Sequence, residues 1–141
     1  MPEYTSVATQ LVAANQNVIF TETPVRCTTG NVVHREGSGN ATLRGITNQC
    51  RARYRVSFGA NIAVPTGGTA GPISVALAIS GEALPASTAI VTPAAVNEYF
   101  NVSVDTFVDV PRGCCVTVSV QNTSTAAINV QNANMIITRE A

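Results

Sequence analysis

Glu98–Val110, EYFNVSVDTFVDV, is written largely in a two-residue period. Phe100, Val102, Val104, Val108 and Val110 fall on one parity, and Asn101, Ser103, Asp105 and Asp109 on the other. Alternate side chains of a strand point to opposite faces, so the run predicts an antiparallel strand with one face buried and one in water. CCVTVSVQN repeats the pattern, with Cys114, Val116, Val118 and Val120 against Cys115, Thr117, Ser119 and Gln121. On this parity Cys114 is expected inside as a small hydrophobe and Cys115 outside. Further strands are expected over 7–14, 17–22, 31–36, 41–47, 51–64, 71–82 and 128–140. TTGN, EGSGN, PTGGTAGP, PRG and QNTST separate these runs with glycine, proline and asparagine turn chemistry. Residues 86–98 read as a loop or short strand, because Pro93 interrupts any helical turn there. Strands at this spacing in one chain predict an all-β, antiparallel two-sheet sandwich or jelly roll of about ten strands. Residues 7–141 are expected to be that single domain. Residues 1–6 are expected to be an N-terminal arm with no core role, available for docking.

Composition removes several function classes. Only 11 % of the 141 residues are charged, against roughly 25 % in ordinary soluble chains. The formal net charge is zero and all eight basic residues are arginine. Phosphate binding needs surplus positive charge, so nucleic acid is not an expected partner. A charge-poor surface does little to keep copies apart, which favours ordered self-association. No apolar run approaches the roughly 18 residues of a membrane span, so no membrane partner is expected. MPEYTSVATQ has no basic segment followed by an apolar one, so synthesis in a cytoplasm, with any release by lysis or assembly rather than secretion, is expected.

Catalytic and metal chemistry find little footing. Cys27, Cys50, Cys114 and Cys115 have no CxxC or CxxH spacing and His34 is the only histidine, so no metal or other cofactor is expected. The cysteines read as free thiols, buried or half-buried, with a Cys27–Cys50 disulfide as the alternative. Ser38 in EGSGN lacks the GxSxG elbow and reads as a turn. PTGGTAGP lacks the GK[ST] of a phosphate loop. Asp105 and Asp109, four apart on one strand, stand roughly 13 Å apart, too far for a retaining glycosidase pair. The chain is expected not to be an enzyme.

The remaining feature is CRARYRVSF. Arg51, Arg53 and Arg55 share one parity while Tyr54, Val56 and Phe58 share the other. A single-strand nucleic-acid platform would interleave aromatics on the arginine face, and here they lie opposite. Three readings stand. The arginines pair with carboxylates on a neighbouring strand or chain, with Asp105 and Asp109 as natural candidates; or they form a solvated face; or they meet a polyanion or glycan. The candidate interface is therefore Arg51, Arg53, Arg55, Asp105 and Asp109.

The order of these signals resembles the jelly roll shared by tumour necrosis factor and the complement globular head, in the version carried by phage and bacterial proteins. The likeness rests on Arg53-Tyr54-Arg55-Val56-Ser57-Phe58 as a central aromatic strand and on Ile79-Ser80-Gly81-Glu82 at a glycine turn. It rests also on Val108-Asp109-Val110-Pro111-Arg112-Gly113 leading into the next strand, and on Met135-Ile136-Ile137 in the last one. The resemblance implies a homotrimer with one sheet of each protomer facing the axis, and a binding or structural head rather than an enzyme. Without a collagen stalk, it points to a phage or prophage virion protein: a capsid decoration, a head fibre or a tail adhesion tip. Capsid or tail proteins and host-surface glycans are the partners it implies. The alternative is a lectin-like ligand-binding head on a bacterial spore or cell surface, and a small hydrolase stands third.

Overall fold

Period-two patterning becomes two antiparallel sheets packed face to face. The computed structural model describes residues 2–140. The front sheet has the order β10 (Phe100–Pro111), β6 (Arg51–Ala63), β12 (Ile128–Arg139), β1 (Glu3–Ser6), β3 (Glu22–Val25), and β2 (Gln10–Val12) also pairs with β12. The back sheet runs β4 (Val32–His34), β5 (Ala41–Arg44), β11 (Cys115–Asn122), β7 (Ile73–Ile79), β8 (Glu82–Ala83), with β9 (Ala89–Val91) also on β7. Pro85–Ser87 forms a single 3-10 turn.

The inward parity of the long front strands makes the core. Ala52, Tyr54, Val56, Phe58, Ala60 and Ile62 of β6 are all essentially buried, as are Met135 and Ile137 of β12. Leu43, Val75, Leu77, Val118 and Val120 come up from the back sheet to meet them. Burying a large apolar side chain of this kind contributes roughly 1.5–3 kcal/mol before chain entropy is counted. Two polar side chains tie the layers together. The Tyr54 hydroxyl donates to the Arg44 carbonyl at 2.6 Å. Asn122, fully buried, donates from Nδ2 to the Val12 and Ala126 carbonyls and accepts the Ser124 N–H on Oδ1.

Four local expectations are corrected. Residues 1–6 were expected to be a free arm, but Glu3–Ser6 is a strand in register with β12, and Tyr4 is buried. Tyr4 and Ser6 face inward, and pairing with β12 on one side and β3 on the other holds so short a segment in the sandwich. A bulge in β12 between Gln131 and Asn134 lets that strand pair first with β2 and then with β1. The run 17–22 is not a strand. Val18 and Phe20 are fully buried there, but the backbone makes only isolated bridges to Gln121 and Ser38. The ladder strand begins later, at Glu22. Cys114 does not point inward, because it belongs to the β10–β11 turn, where its N–H bonds the Pro111 carbonyl, and it is exposed. Finally, Cys50 and Cys115 are exposed and Cys27 alone is half-buried; all four are free thiols.

Gly45 explains how that turn is held. Its N–H bonds the Cys114 carbonyl and its carbonyl accepts the Gly113 N–H. A Cβ at Gly45 would stand 2.2 Å from the Pro111 carbonyl oxygen, so only glycine allows the β5–β6 loop to lie against the hairpin.

Candidate functional site

The two longest front strands bring the predicted residues together. β6 and β10 pair over twelve positions, from Arg51↔Pro111 to Ile62↔Phe100. In that register Asp109 stands directly opposite Arg53, Ser57 opposite Asp105, and Arg55 opposite Phe107. Cross-strand neighbours on one face lie within side-chain reach directly and diagonally. Arg53 accordingly grips Asp109 with two donors, Nε to Oδ1 at 2.8 Å and Nη2 to Oδ2 at 3.0 Å. Arg51 adds a third contact to the same carboxylate at 3.3 Å. Arg55 reaches diagonally to Asp105, with Nε to Oδ2 at 2.9 Å and a further contact from Nη2, while the Ser57 hydroxyl donates to Oδ1 at 3.1 Å. These are the only two aspartates in the chain. All five candidate residues thus form one intrachain ladder, and the carboxylates that meet the arginines belong to the neighbouring strand.

The ladder is open to solvent. The arginine side chains are 51–58 % exposed and the aspartates 30–42 %. Hydrogen bonds from Arg55 hold the Asp105 carboxyl below the usual range, and bonds from Arg53 and then Arg51 do the same for Asp109. The Arg51 guanidinium is raised in turn, first by the Cys50 sulfur beside it and then by Asp109. A guanidinium has five donors, and each bidentate pair uses only part of that set. The face therefore has a fixed geometry and further capacity for acceptors.

Sequence reasoning missed Phe107. It lies between Asp105 and Asp109 on the outer parity and is 61 % exposed, across from Arg55. Its signal was present in the sequence, as an aromatic on the polar parity of an otherwise regular strand. β10 is also the edge strand of its sheet. The remaining sequence candidates resolve into structure. Ser38 accepts the Asn40 N–H in a turn, and both ring nitrogens of His34 face backbone carbonyls, of Asn40 and Phe20. Among the described residues no three His, Cys, Asp or Glu side chains group to hold a metal ion. Among those residues no helix is long and apolar enough to cross a membrane.

No protein-family model matches the sequence, and no curated protein does either. Solved structures do match. The globular domain of zebrafish complement 1qA protein superimposes with a TM-score of 0.59 at 13 % identity, over 95 % of this chain and 92 % of that one. The chain has the jelly-roll fold of the complement globular head. A sugar-binding protein, the EclA C-terminal domain, matches at a TM-score of 0.44 and 18 % identity over 93 % of this chain and 80 % of its own. The Clostridium thermocellum xylanase 10B CBM22-1–GH10 modules, complexed with xylohexaose, match at 0.41 and 18 % over 99 % of this chain but only 26 % of theirs. The fold assignment rests on the complement head alone.

Proposed function

We propose that the protein is a non-catalytic binding head of a phage or prophage virion, a homotrimer that acts as a rigid attachment knob on capsid or tail. The observation that carries the trimer is Phe107, a large aromatic left exposed among half-exposed arginines at the edge of the front sheet. Aromatic and arginine side chains are the enriched anchors of protein interfaces, and aspartates already paired at fixed geometry can enter one without being left as lone charges. A heterologous contact of this face with a different face of the next copy closes into a three-fold ring. Three identical weak sites on one knob then act together on a repetitive partner, a capsid lattice, tail proteins or host-surface glycans.

The test is the mass of the purified protein by size exclusion with light scattering. A species three times the 14.6 kDa chain is expected. Phe107→Asp should weaken assembly by more than about thirtyfold, the scale of a ~2 kcal/mol hot spot, while Asn101→Asp at the other end of β10 should leave it intact. A clean monomer at micromolar concentration would remove the trimer. Mass spectrometry of purified virions from the source strain tests the location; virions without this chain would favour the reading of a spore- or cell-surface head.

A further inference from the structure

The two ends of the sandwich carry different charge. At one end three connecting segments lie against one another: residues 26–31 between β3 and β4, 44–51 at the β5–β6 loop, and 111–115 at the β10–β11 turn. Gly45 bonds both Gly113 and Cys114, the Arg112 N–H bonds the Cys50 carbonyl, and Arg44 Nη1 donates to the Gly30 carbonyl at 3.3 Å. These segments carry four arginines, Arg26, Arg44, Arg51 and Arg112, all exposed, and no carboxylate. The opposite end is closed by 13–17, 64–72, 92–99 and 123–127, joined through Asn122 and the Asn97–Val64 bond. Those segments carry no arginine and a single carboxylate, Glu98. A formal net charge of zero conceals this polarity.

Neighbouring carboxylates do not cancel the arginine end. Asp109 is held by Arg51 and Arg53, and Glu3 and Glu82 belong to β1 and β8. Glu140 lies along β6, with its N–H on the Arg53 carbonyl. Among the described residues no carboxylate pairs with Arg26, Arg44 or Arg112. A further guanidinium closes the end of β12, where Arg139 stands over the Tyr54 ring with Cζ 5.9 Å from its centroid. Arg139 forms one wall of a cleft of about 500 Å³, whose other residues are Ile46, Thr47, Asn48 and Gln49. The cleft sets a cation beside a hydroxyl, two amides and one aliphatic side chain. The three segments contain no Phe, Tyr or Trp, so they offer no ring for a base or a sugar to stack on.

We infer that this end binds an acidic glycan, a saccharide chain bearing carboxylate or phosphate groups. In the cleft Arg139 meets one acidic group through guanidinium donors, while Thr47, Asn48 and Gln49 meet sugar hydroxyls with side chains that both donate and accept. Arg44 and Arg112, beside the same loop, take further charges along the chain. Without a stacking ring, recognition rests on charge and hydrogen bonds, which selects acidic over neutral sugars. A single-stranded nucleic acid would leave its bases without a platform. Such a ligand belongs to the binding-head reading above, on which it rests, and needs neither the trimer nor the virion.

Binding of polygalacturonate, which carries carboxylates, and phosphomannan, which carries phosphates, to the immobilised full chain tests this, with uncharged mannan and single-stranded DNA beside them. At least one acidic glycan should bind, mannan should not, and added salt should weaken the binding. Arg112→Gln/Arg139→Gln should weaken it about three- to tenfold, the scale of two exposed ion pairs. Asn48→Ala, on the exposed loop of the cleft, should weaken it about threefold through a lost hydrogen bond and leaves the Tyr54 contact untouched. Arg35→Gln removes the same kind of charge outside the three segments and should change binding less than about twofold. The site is overturned if neither acidic glycan binds, if mannan or DNA binds as tightly, if Arg112→Gln/Arg139→Gln and Asn48→Ala both keep full binding, or if Arg35→Gln loses as much. Light scattering on the same proteins separates this site from the trimer. Lost binding at unchanged mass supports the site, and a monomer that still binds the glycan keeps it while removing the trimer.

Discussion

Along the outer face of the front sheet, the Arg51–Ser57 half of β6 and the Gly59–Asn61 stretch beyond it share one ladder and differ in chemistry. In the first half, Asp109 and Asp105 of β10 hold three arginines, with Phe107 between them. In the second, amides and hydroxyls replace the charges. Asn101 donates to Asn61 at 3.2 Å, and the Thr9 hydroxyl donates to Gln131 at 3.1 Å. Beneath both, the inner parity runs on without a change of character from Ala52 to Ile62. The difference teaches that the fold is held by one parity of these strands, so the other can carry a localised surface chemistry. A chain with few charges has placed five of them in one patch, and that concentration is where recognition is to be sought.

The sharpest way to break this comparison is to remove one inward side chain under each half. Tyr54→Ala lies below the charged half and Ile62→Ala below the amide half; each should cost about 2–5 kcal/mol by urea unfolding. Tyr54→Ala should be the costlier, because it also leaves the Arg44 carbonyl without its 2.6 Å donor. A cost for Ile62→Ala below about 1 kcal/mol would mean that the inner layer is not uniform and that the charged half holds the sheet.

A smaller effect is expected from the ladder itself, and its signature is pH. Both aspartates are held below their usual range by the arginines. A depressed folded-state pKa contributes stability that is present above the unfolded value, near pH 4 for aspartate, and is lost as pH falls through the folded value. The melting temperature of the wild type should therefore exceed that of Asp105→Asn/Asp109→Asn at pH 6, and the gap should close on acidification well below pH 4. High salt at pH 6 should narrow it too, because the pairs are exposed and screened. A gap that persists into acid would show that the aspartates act through packing and not through charge.

Much of the fold was legible because strand parity needs only local sequence. The inward set of β6 was readable residue by residue, and that of β10 at Val102, Val108 and Val110, whereas Phe100 is exposed at the strand's start and Val104 only half-buried; the aspartates could be named as partners of the arginines. Whether those aspartates came from the same chain was not readable, since register between strands some fifty positions apart is set by the whole sandwich. Parity also reports burial and not pairing. Val18 and Phe20 are fully buried as alternation demands, yet their segment never joins a continuous ladder. Glu3–Ser6 was missed for the converse reason, because four residues are too few to show a period.

The smallest effect should come from the amide half. Asn61→Ala and Asn101→Ala remove a hydrogen bond between outward-facing side chains, and water replaces it on both partners. Each should change stability by no more than about 0.5 kcal/mol, measured by urea unfolding beside Tyr54→Ala. Neither should alter the mass found by light scattering, because the proposed contact is anchored by Phe107 at the other end of β10. An Asn101→Ala chain that lost assembly while keeping its stability would move the interface to the amide half. The Arg–Asp ladder would then be a fixed solvent face, rigid through its own pairs and in contact with no second copy.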